Sequence, residues 1–475
     1  MNVADLPRGR SARGARLPAS LSSSERRARG RTRSPYVAGF LSFLWPGLGQ
    51  LYAGRERAAA LFALPPLVIA LIVAIQALAA PRQLAALLID PPSALTILIL
   101  ILLLGAWRLV AMADAMVGMG VRDAWRRGQT GALFAVLAVG VLAVHLPASY
   151  FTWAFYDAGS RIFVADDPDS ERRPSAAPGQ SADPDDEYLA TPLTTPPTPD
   201  SRINILLTGV DSAESRTHAL TDTLMVASID PKTGDVALVS FPRDISEFQL
   251  SDGRTFRGKI NSLMTYARLH PSEFPDGPLP SLVRELGHLL GVPIHYFAAV
   301  DLAGFRRMID VVGGVTVNNP RAIEDPRYDW LDGTRGFWLS AGTHTLDGRT
   351  ALAYVRSRQG AGDSDYTRAA RQQQVLVALR SRLTSPSMLP RLPQILDAAG
   401  QTLKTNFPSD RVGEMLELAQ NVDDGGIRTV VLGPPYSVHP PTSETGGVWI
   451  LRLDMARLAG LSVELFGEDS RYATR

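Results

Sequence analysis

The residues of this 475-residue chain that could do chemistry are charged or amide side chains at the ends of apolar segments. They are Asp211, Asp222, Arg243, Arg356, Arg358, Asp365, Arg368 and Gln372. Guanidinium groups bind phosphate oxygens through paired hydrogen bonds, and two carboxylates can hold Mg²⁺ between phosphates. Asp365, Arg368 and Gln372 are spaced three and four residues apart, which places them on one face of a predicted helix. Together, these residue types predict a site that binds a phosphorylated substrate.

Each of these residues also has a plainer explanation when it is taken alone. An aspartate after a strand is usually a turn former or a helix cap. Arg356 and Arg358 could form a solvated helix face, and Arg368 and Arg371 could be surface charges beside an apolar stripe. The sequence has no Walker loop, no HExxH, no GxSxG and no metal-ligand spacing of its seven histidines. It also has no cysteine, which excludes a thiolate nucleophile and a zinc–thiolate site.

The segments that carry these residues alternate between strand and helix patterns. INILLTG, TLMVASID, VALVSFP, YFAAV and GGVTVN have the length and composition of strands. Helices are predicted near Asn261 to Leu269, over Ser281 to Leu290, in LAGFRRMIDVV and in ALAYVRSR and TRAARQQQVLVALRSRL. This mixture predicts an α/β domain, an α+β sandwich with one central mixed sheet flanked by helices.

The N-terminal third is predicted to be an all-α membrane region. Three apolar segments, at about 58–80, 94–113 and 131–155, are long enough to span a bilayer. Residues 36–52 are short and broken by Pro46, Gly47 and Gly49, so we expect an interfacial hairpin there. Residues 1–35 are arginine-rich with few large apolar residues, which predicts a disordered, cytoplasmic basic arm rather than a nucleic-acid arm.

The positive-inside trend then predicts a multi-pass chain in the cell membrane, with a cytoplasmic N-terminus and an extracytoplasmic C-terminal domain. The predicted divisions follow the chain in order: a basic arm 1–35, a membrane region 36–156, a Pro- and Asp-rich extracytoplasmic linker 157–200, a catalytic domain 201–385, and C-terminal helices and strands 386–475 that complete the domain or are appended to it.

Several blocks of the domain, in order, resemble the LytR-CpsA-Psr family of membrane-anchored phosphotransferases of the bacterial envelope. The blocks are ILLTGVD, TDTLMVASIDPKTG, VSFPRD, KIN, FAAVDLAGFRRMIDVVGGVTVNNP, AGTHTLDGRTALAYVRSR and RAARQQQVL. The resemblance covers roughly residues 203–379. It implies transfer of a glycopolymer, such as a teichoic acid, from a polyprenyl-pyrophosphate carrier to peptidoglycan or another wall glycan through a phosphodiester.

The resemblance also implies roles for the individual residues. Asp211 and Asp222 would hold Mg²⁺, whereas Arg243, Arg356, Arg358, Arg368 and Gln372 would bind the pyrophosphate. Arg243, Asp365 and Arg368 would act in catalysis. The candidates for the general base are Asp365, because a carboxylate near arginines stays ionised at neutral pH, and a metal ligand. The implied partners are the lipid-linked glycan, the wall-glycan acceptor and membrane lipid, and no nucleic acid is expected.

Two alternatives remain open at this stage. The same site could hydrolyse the pyrophosphate or release the glycan to water, and an apolar tunnel between sheet and helices would favour transfer over hydrolysis. The chain could instead be a non-catalytic, membrane-tethered binder of lipid-linked glycans that regulates the envelope. Leu220 stands where the family usually has an arginine, two residues before Asp222, and this difference keeps the binder open as an alternative, unless His218 or Arg216 takes the place of that arginine.

Overall fold

The computed structural model describes most of the chain outside the N-terminal arm and the linker. The described residues are 33–118, 128–163, 197–198, 201–210, 221–330, 332–358, 364–421, 426–441 and 443–473. Nearly all of the predicted basic arm and most of the predicted linker lie outside these ranges. The chain divides into two compact units, one of residues 1–71 and 103–145 and the other of residues 72–102 and 146–475.

The N-terminal part is helical. Its helices are α1 (Pro35–Leu44), α2 (Leu48–Tyr52), α3 (Glu56–Ala79), α4 (Pro81–Ile89), α5 (Pro91–Val117) and α6 (Gln129–Ile162). By length and composition, α3, α5 and α6 could each cross a membrane. They contain most of the three spans that the sequence predicts, and α6 continues to Ile162, past the predicted end at residue 155.

A sharp turn joins α1 to α2 in the segment predicted to form a hairpin. Gly47 has a φ of 97°, and a Cβ atom there would lie 2.5 Å from the Ala59 carbonyl oxygen. Only glycine fits this backbone conformation and this close approach. The turn brings Gln50, which is fully buried, within 2.8 Å of the Ala111 carbonyl oxygen on α5. Whether this hairpin spans the membrane or lies at its surface stays a prediction.

The C-terminal domain is built on one mixed sheet of six strands, in the order β11, β6, β1, β2, β3, β12. The strands of this sheet are β1 (Ile203–Val210), β2 (Thr221–Ile229), β3 (Val236–Ser240), β6 (Tyr296–Asp301), β11 (Leu403–Thr405) and β12 (Ile427–Val431). β1 is antiparallel to β2 and parallel to β6, and β12 is parallel to β3. The predicted mixed sheet is thus confirmed, and the segment after residue 385 supplies both of its edge strands.

Shorter strands surround this sheet as hairpins. They are β4 (Phe248–Gln249), β5 (Thr255–Phe256), β7 (Val315–Asn319), β8 (Ile323–Asp329), β9 (Arg335–Leu339), β10 (Gly342–Leu346), β13 (Ser437–Val438) and β14 (Arg452–Leu453). β7 pairs with β10 and β8 pairs with β9, both antiparallel. The sequence pattern predicts β7 but not the hairpin of β8 and β9.

Helices cover both faces of the central sheet. They are α7 (Leu263–Leu269), α8 (Pro278–Leu290), α9 (Leu302–Val311), α10 (Gly348–Arg356), α11 (Asp365–Leu383), α12 (Leu392–Thr402), α13 (Val412–Asn421) and α14 (Met455–Phe466). On one face, Leu206 and Val226 pack with Leu282 of α8 and Leu458 of α14. On the other, the alternate residues Leu207 and Met225 pack with Leu376 of α11, because successive strand residues face opposite sides.

The outer ends of the apolar helices belong to the same compact unit as this domain. Phe163, directly after α6, forms a parallel bridge with Thr405 of β11. The Ser409 hydroxyl donates a 2.7 Å hydrogen bond to Asp90, which lies between α4 and α5. Lys404 donates through Nζ to the Arg161 carbonyl oxygen over 3.0 Å. The domain therefore makes direct contacts with the helix ends, in addition to its covalent connection through residues 164–200.

Candidate functional site

The corner between α10 and α11 positions most of the predicted phosphate-binding residues. Helix α10 begins after Asp347, whose side chain accepts a 2.7 Å hydrogen bond from the Thr350 amide. Helix α11 begins after Ser364, where a capping box joins Ser364 and Thr367. These caps fix where each helix starts. Hydrogen bonds between the two helices place the C-terminal end of α10 beside the N-terminal half of α11.

Arg356, Arg358, Arg368 and Gln372 lie at this corner. Arg356 is the last residue of α10, and Gln372 of α11 donates from Nε2 to the Val355 carbonyl oxygen over 3.4 Å. Arg368 stands one turn before Gln372 and is only 6% exposed. The structure thus brings together four of the eight residues predicted from sequence. Burial of Arg368 is inconsistent with its alternative interpretation as a surface charge.

The backbone around Arg358 is fixed by a buried carboxylate. Asp325 of β8 accepts hydrogen bonds from the Ser357 hydroxyl (2.8 Å) and the Arg358 amide (3.2 Å). The Arg358 Nη1 atom is buried and makes no hydrogen bond to a described residue. A buried guanidinium nitrogen without an acceptor is costly. An anionic ligand at this corner would supply the missing acceptor.

Two residues next to the predicted set hold the corner together. Arg371, which is 7% exposed, donates from Nη1 to the carbonyl oxygens of Tyr354 and Ser357, each over 3.1 Å. Gln373 donates to Ser240 Oγ of β3 (2.9 Å) and to the Val430 carbonyl oxygen of β12 (3.0 Å). Arg371 thus ties α11 to the end of α10, and Gln373 ties it to the sheet.

The position of Arg371 in the sequence predicts that this residue is buried. Arg368 and Arg371 stand seven and four residues before Val375, which puts them in line with the buried stripe of α11. This spacing predicts burial, so the interpretation of Arg371 as a surface charge is wrong. Gln373 has no comparable signal, because its partners are backbone and hydroxyl oxygens of strands that are distant in sequence.

Arg243 lies in the segment that follows β3, three residues after Ser240, the last residue of that strand. Because Gln373 of α11 contacts Ser240, this segment and the N-terminal half of α11 lie at the same part of the sheet. The next residue, Asp244, is 4% exposed and forms an ion pair with Lys259 of the KIN block. Asp244 therefore has a structural partner, and the role of Arg243 in phosphate binding stays a prediction.

Three of the predicted carboxylates cannot be placed by their side chains. Asp211 lies outside the described residues, and for Asp222 and Asp365 the structure describes only the backbone. In the backbone, Val210 of β1 pairs with Thr221 of β2, next to a register shift. Asp222 follows Thr221, and Asp211 follows Val210 in sequence. Among the described residues, no group of three or more His, Asp or Glu side chains could hold a metal ion.

Electrostatic effects at the corner extend to Tyr328 on β8. Burial raises the pKa of the Tyr328 phenol, whereas the nearby guanidinium groups of Arg356, Arg306 and Arg349 oppose this shift. The phenol therefore stays protonated at neutral pH and acts as a hydrogen-bond donor. The region around Arg356 combines positive charge with neutral donors, which suits a phosphorylated ligand.

The sheet, the arginine-rich corner and the apolar helices define the class of this protein: a domain suited to phosphate binding, attached to helices that could cross a membrane. The particular family follows from its sequence. Residues 173–443 match the LytR_cpsA_psr family, and the chain belongs to that family. The resemblance seen in the sequence blocks is thereby confirmed.

The chain is similar to several individual proteins. The polyisoprenyl-teichoic acid–peptidoglycan teichoic acid transferase TagU of Oceanobacillus iheyensis is 32% identical over 265 residues, which are 56% of this chain and 75% of that protein. The corresponding TagV enzyme of Bacillus subtilis is 30% identical over 218 residues, 46% of this chain and 52% of that protein. The crystal structure of B. subtilis TagV, at 23% identity, covers 57% of this chain and 98% of that chain with a TM-score of 0.46.

Proposed function

We propose that this chain is a membrane-anchored phosphotransferase that moves a glycopolymer from a polyprenyl-pyrophosphate carrier to a wall glycan. The carrying observation is the corner of α10 and α11, where Arg356, Arg358, Arg368 and Gln372 meet and Arg358 Nη1 is buried without an acceptor among the described residues. Relatives named as teichoic acid–peptidoglycan transferases support this reaction class and these substrate types.

In the proposed reaction, a hydroxyl oxygen of the wall glycan attacks the phosphorus atom that carries the glycopolymer. The bond from that phosphorus to the bridging oxygen breaks, and polyprenyl phosphate leaves with the bonding electron pair. The hydroxyl proton passes to a carboxylate, for which Asp365 at the start of α11 and a metal ligand are the candidates. The arginines align the pyrophosphate and stabilise the charge that develops on its oxygens.

The proposed cofactor is a magnesium ion held by Asp211, which follows β1 in sequence, and Asp222 near the start of β2. Carboxylate oxygens are the ligands that Mg²⁺ prefers, and the pairing of Val210 with Thr221 supports a common location for Asp211 and Asp222. Bound there, the ion would neutralise pyrophosphate oxygens as a Lewis acid. Asp211 and Asp222 would bind and orient it, and the arginines would hold the remaining oxygens.

An apolar cavity of about 290 Å³ supports a lipid-linked substrate. Ile205 and Leu207 of β1 and Ala298 of β6 form one wall, and Phe155 and Ile162 of α6 form another. Because α6 is long and apolar enough to cross a membrane, a polyprenyl chain could pass from the bilayer to this face of the sheet. In this arrangement the N-terminus is cytoplasmic and the domain is extracytoplasmic.

The test uses the full-length protein in lipid vesicles with a polyprenyl-pyrophosphate glycan, a wall-glycan acceptor and Mg²⁺. We expect glycan linked to the acceptor, and a loss of about 10²–10³-fold in rate for Arg356→Ala. The matched control is Arg335→Ala, because Arg335 is 77% exposed and pairs with Asp329 on the β8–β9 hairpin. Chelation by EDTA should abolish the reaction.

Two results would overturn the proposal. The wild type could form no linked product, or Arg356→Ala could match it in rate. Release of free glycan to water without linkage would identify the hydrolase instead.

A further inference from the structure

A second cavity, of about 290 Å³, lies next to the arginine-rich corner. It is lined by Arg306, Tyr328, Trp330, Asp332, Arg349 and Leu352. The wall comes from three elements: α9, α10 and the hairpin of β8 and β9. None of these residues belongs to the set proposed to bind the pyrophosphate.

Helix α10 connects this cavity to the proposed pyrophosphate site. Arg349, Leu352 and Arg356 are spaced three and four residues apart, so they lie along one face of the helix. Arg349 and Leu352 line the cavity, and Arg356 ends the same face at the corner with α11. Seven residues of helix correspond to roughly 10 Å. A ligand in the cavity would therefore sit within about two sugar rings of a pyrophosphate bound at Arg356.

Arg349 is held in place on the cavity wall. Its guanidinium lies over the Trp330 ring, 4.4 Å from the centroid, and Nη2 donates a 2.6 Å hydrogen bond to Asp332. Trp330 in turn donates from Nε1 to the Gly336 carbonyl oxygen over 2.7 Å, which fixes the indole. Preorganised groups of this kind lose little entropy when a ligand binds.

Arg306 adds a second cation with unused hydrogen-bonding capacity. Its Nε atom is buried and makes no hydrogen bond to a described residue. Two guanidinium groups thus line the cavity with a single carboxylate, Asp332. Tyr328 contributes a phenol that remains a donor at neutral pH because burial raises its pKa. The lining thus combines two guanidinium groups, one carboxylate, a neutral phenol donor and an indole ring.

We infer that this cavity is a subsite for a sugar residue that carries a negative charge, next to the pyrophosphate of the lipid-linked substrate. Apolar ring carbons contact Leu352 and Trp330, hydroxyl groups accept from Tyr328, and the anion binds Arg306 and Arg349. This inference rests on the proposed function. The anionic sugar is either one of the donor glycan or one of the wall-glycan acceptor, and these sources share the same recognition chemistry.

The test compares Arg306→Gln and Trp330→Phe with matched changes outside the cavity. Arg335→Gln is the control for charge, because Arg335 is exposed and paired with Asp329. Trp338→Phe is the control for the aromatic ring, because Trp338 is 62% exposed on β9 and does not line the cavity. All proteins are full-length and in lipid vesicles, and a thermal unfolding midpoint equal to wild type establishes that each variant folds.

The first arm measures binding of polyprenyl pyrophosphate with and without its glycan. If the cavity holds a donor sugar, Arg306→Gln weakens binding of the glycosylated lipid by about 10- to 100-fold and leaves the bare lipid unchanged. The second arm measures the KM for wall glycan with free or amidated carboxylates. If the cavity holds an acceptor sugar, Arg306→Gln raises the KM for the free carboxylate form alone, with kcat unchanged.

The two proposals fail in different ways. If the cavity variants match wild type in both arms while Arg356→Ala loses lipid binding, the sugar subsite is refuted and the pyrophosphate site stands. If wild type does not bind bare polyprenyl pyrophosphate, the proposed function itself is overturned.

Discussion

Two groups of polar side chains in this molecule differ in how their charges are balanced. In the N-terminal helical region, Arg55 donates hydrogen bonds of 2.8 and 2.9 Å to the Asp114 carboxylate, and Gln50 Nε2 donates to the same carboxylate over 3.0 Å. Ser42 completes this network through a 3.1 Å bond to Gln50. At the corner of α10 and α11, arginines outnumber the carboxylates whose side chains are described. Among the described side chains, the first group is neutral within itself and the second carries more positive than negative charge.

This difference in charge balance distinguishes polar groups that stabilise the fold from polar groups that are suited to binding a ligand. A buried polar network contributes to stability when each member finds its partner within the protein. A buried cation that lacks an acceptor costs stability, and a folded protein tolerates that cost where a ligand repays it in function. Arg371 shows that both kinds occur at the corner, because its Nη1 atom bonds to two backbone carbonyls while Arg358 Nη1 has no described partner.

The largest stability effect is expected for Arg371→Met. Loss of the guanidinium leaves the carbonyl oxygens of Tyr354 and Ser357 without their donor in a buried position. We expect a loss of roughly 2–4 kcal/mol in the free energy of unfolding, seen as a lower thermal midpoint of the full-length protein. The control Arg335→Met removes an exposed ion pair and should change stability by less than about 0.5 kcal/mol. Equal midpoints for both variants would show that burial of Arg371 carries no structural role.

A smaller effect is expected in the N-terminal helical region for Gln50→Leu. The change removes hydrogen bonds to Ala111 and Asp114 and leaves the Ser42 hydroxyl without its acceptor. We expect a loss of about 1–3 kcal/mol, measured as a lower midpoint in detergent and faster cleavage by protease. Gln76→Leu is the control, since Gln76 is exposed on α3. Faster cleavage of both variants alike would mean that the network does not hold these helices.

Local pattern predicts the main elements of the domain well. INILLTGV, TLMVASI and VALVS form β1, β2 and β3, and Gly291 ends α8 in a left-handed conformation, as glycine after a helix predicts. The hairpin of β8 and β9 was not predicted, because Ile323–Asp329 carries Pro326 and four charged residues. Its strand structure depends on pairing with β9 and on burial of Phe337 in the domain, which a local pattern does not contain.

The residue types of the candidate site can be predicted from the sequence, but the contacts that each residue makes cannot. Arg356 and Arg358 are predicted from their position at the end of an apolar segment, and the residues of α11 from their spacing. Neither signal points to Arg306 or Trp330. These two meet only because α9 and the β8–β9 hairpin fold onto α10. Likewise, the sequence gives no sign that Asp244 pairs with Lys259, 15 residues further along the chain. Contacts between distant segments decide which charges are structural.

The smallest stability effect, and the most direct test of the comparison, is expected for Arg358→Gln. Because Arg358 Nη1 has no acceptor among the described residues, its removal should change the unfolding free energy by less than about 0.5 kcal/mol or raise it. Binding of pyrophosphate should distinguish the Arg358→Gln variant from the wild type. Inorganic pyrophosphate at about 100 times its Kd should stabilise wild type by roughly 2.7 kcal/mol, because it binds the folded state alone.

The variant should lose most of this stabilisation, and Arg335→Gln should keep it, as measured by thermal midpoints across a pyrophosphate titration with Mg²⁺. If Arg358→Gln instead loses more than about 1.5 kcal/mol without any ligand, its guanidinium is structural, as that of Arg371 is. The charges at the corner would then be balanced by partners within the protein, as they are in the network around Gln50. Retention of pyrophosphate stabilisation in a variant of unchanged stability would place the anion elsewhere.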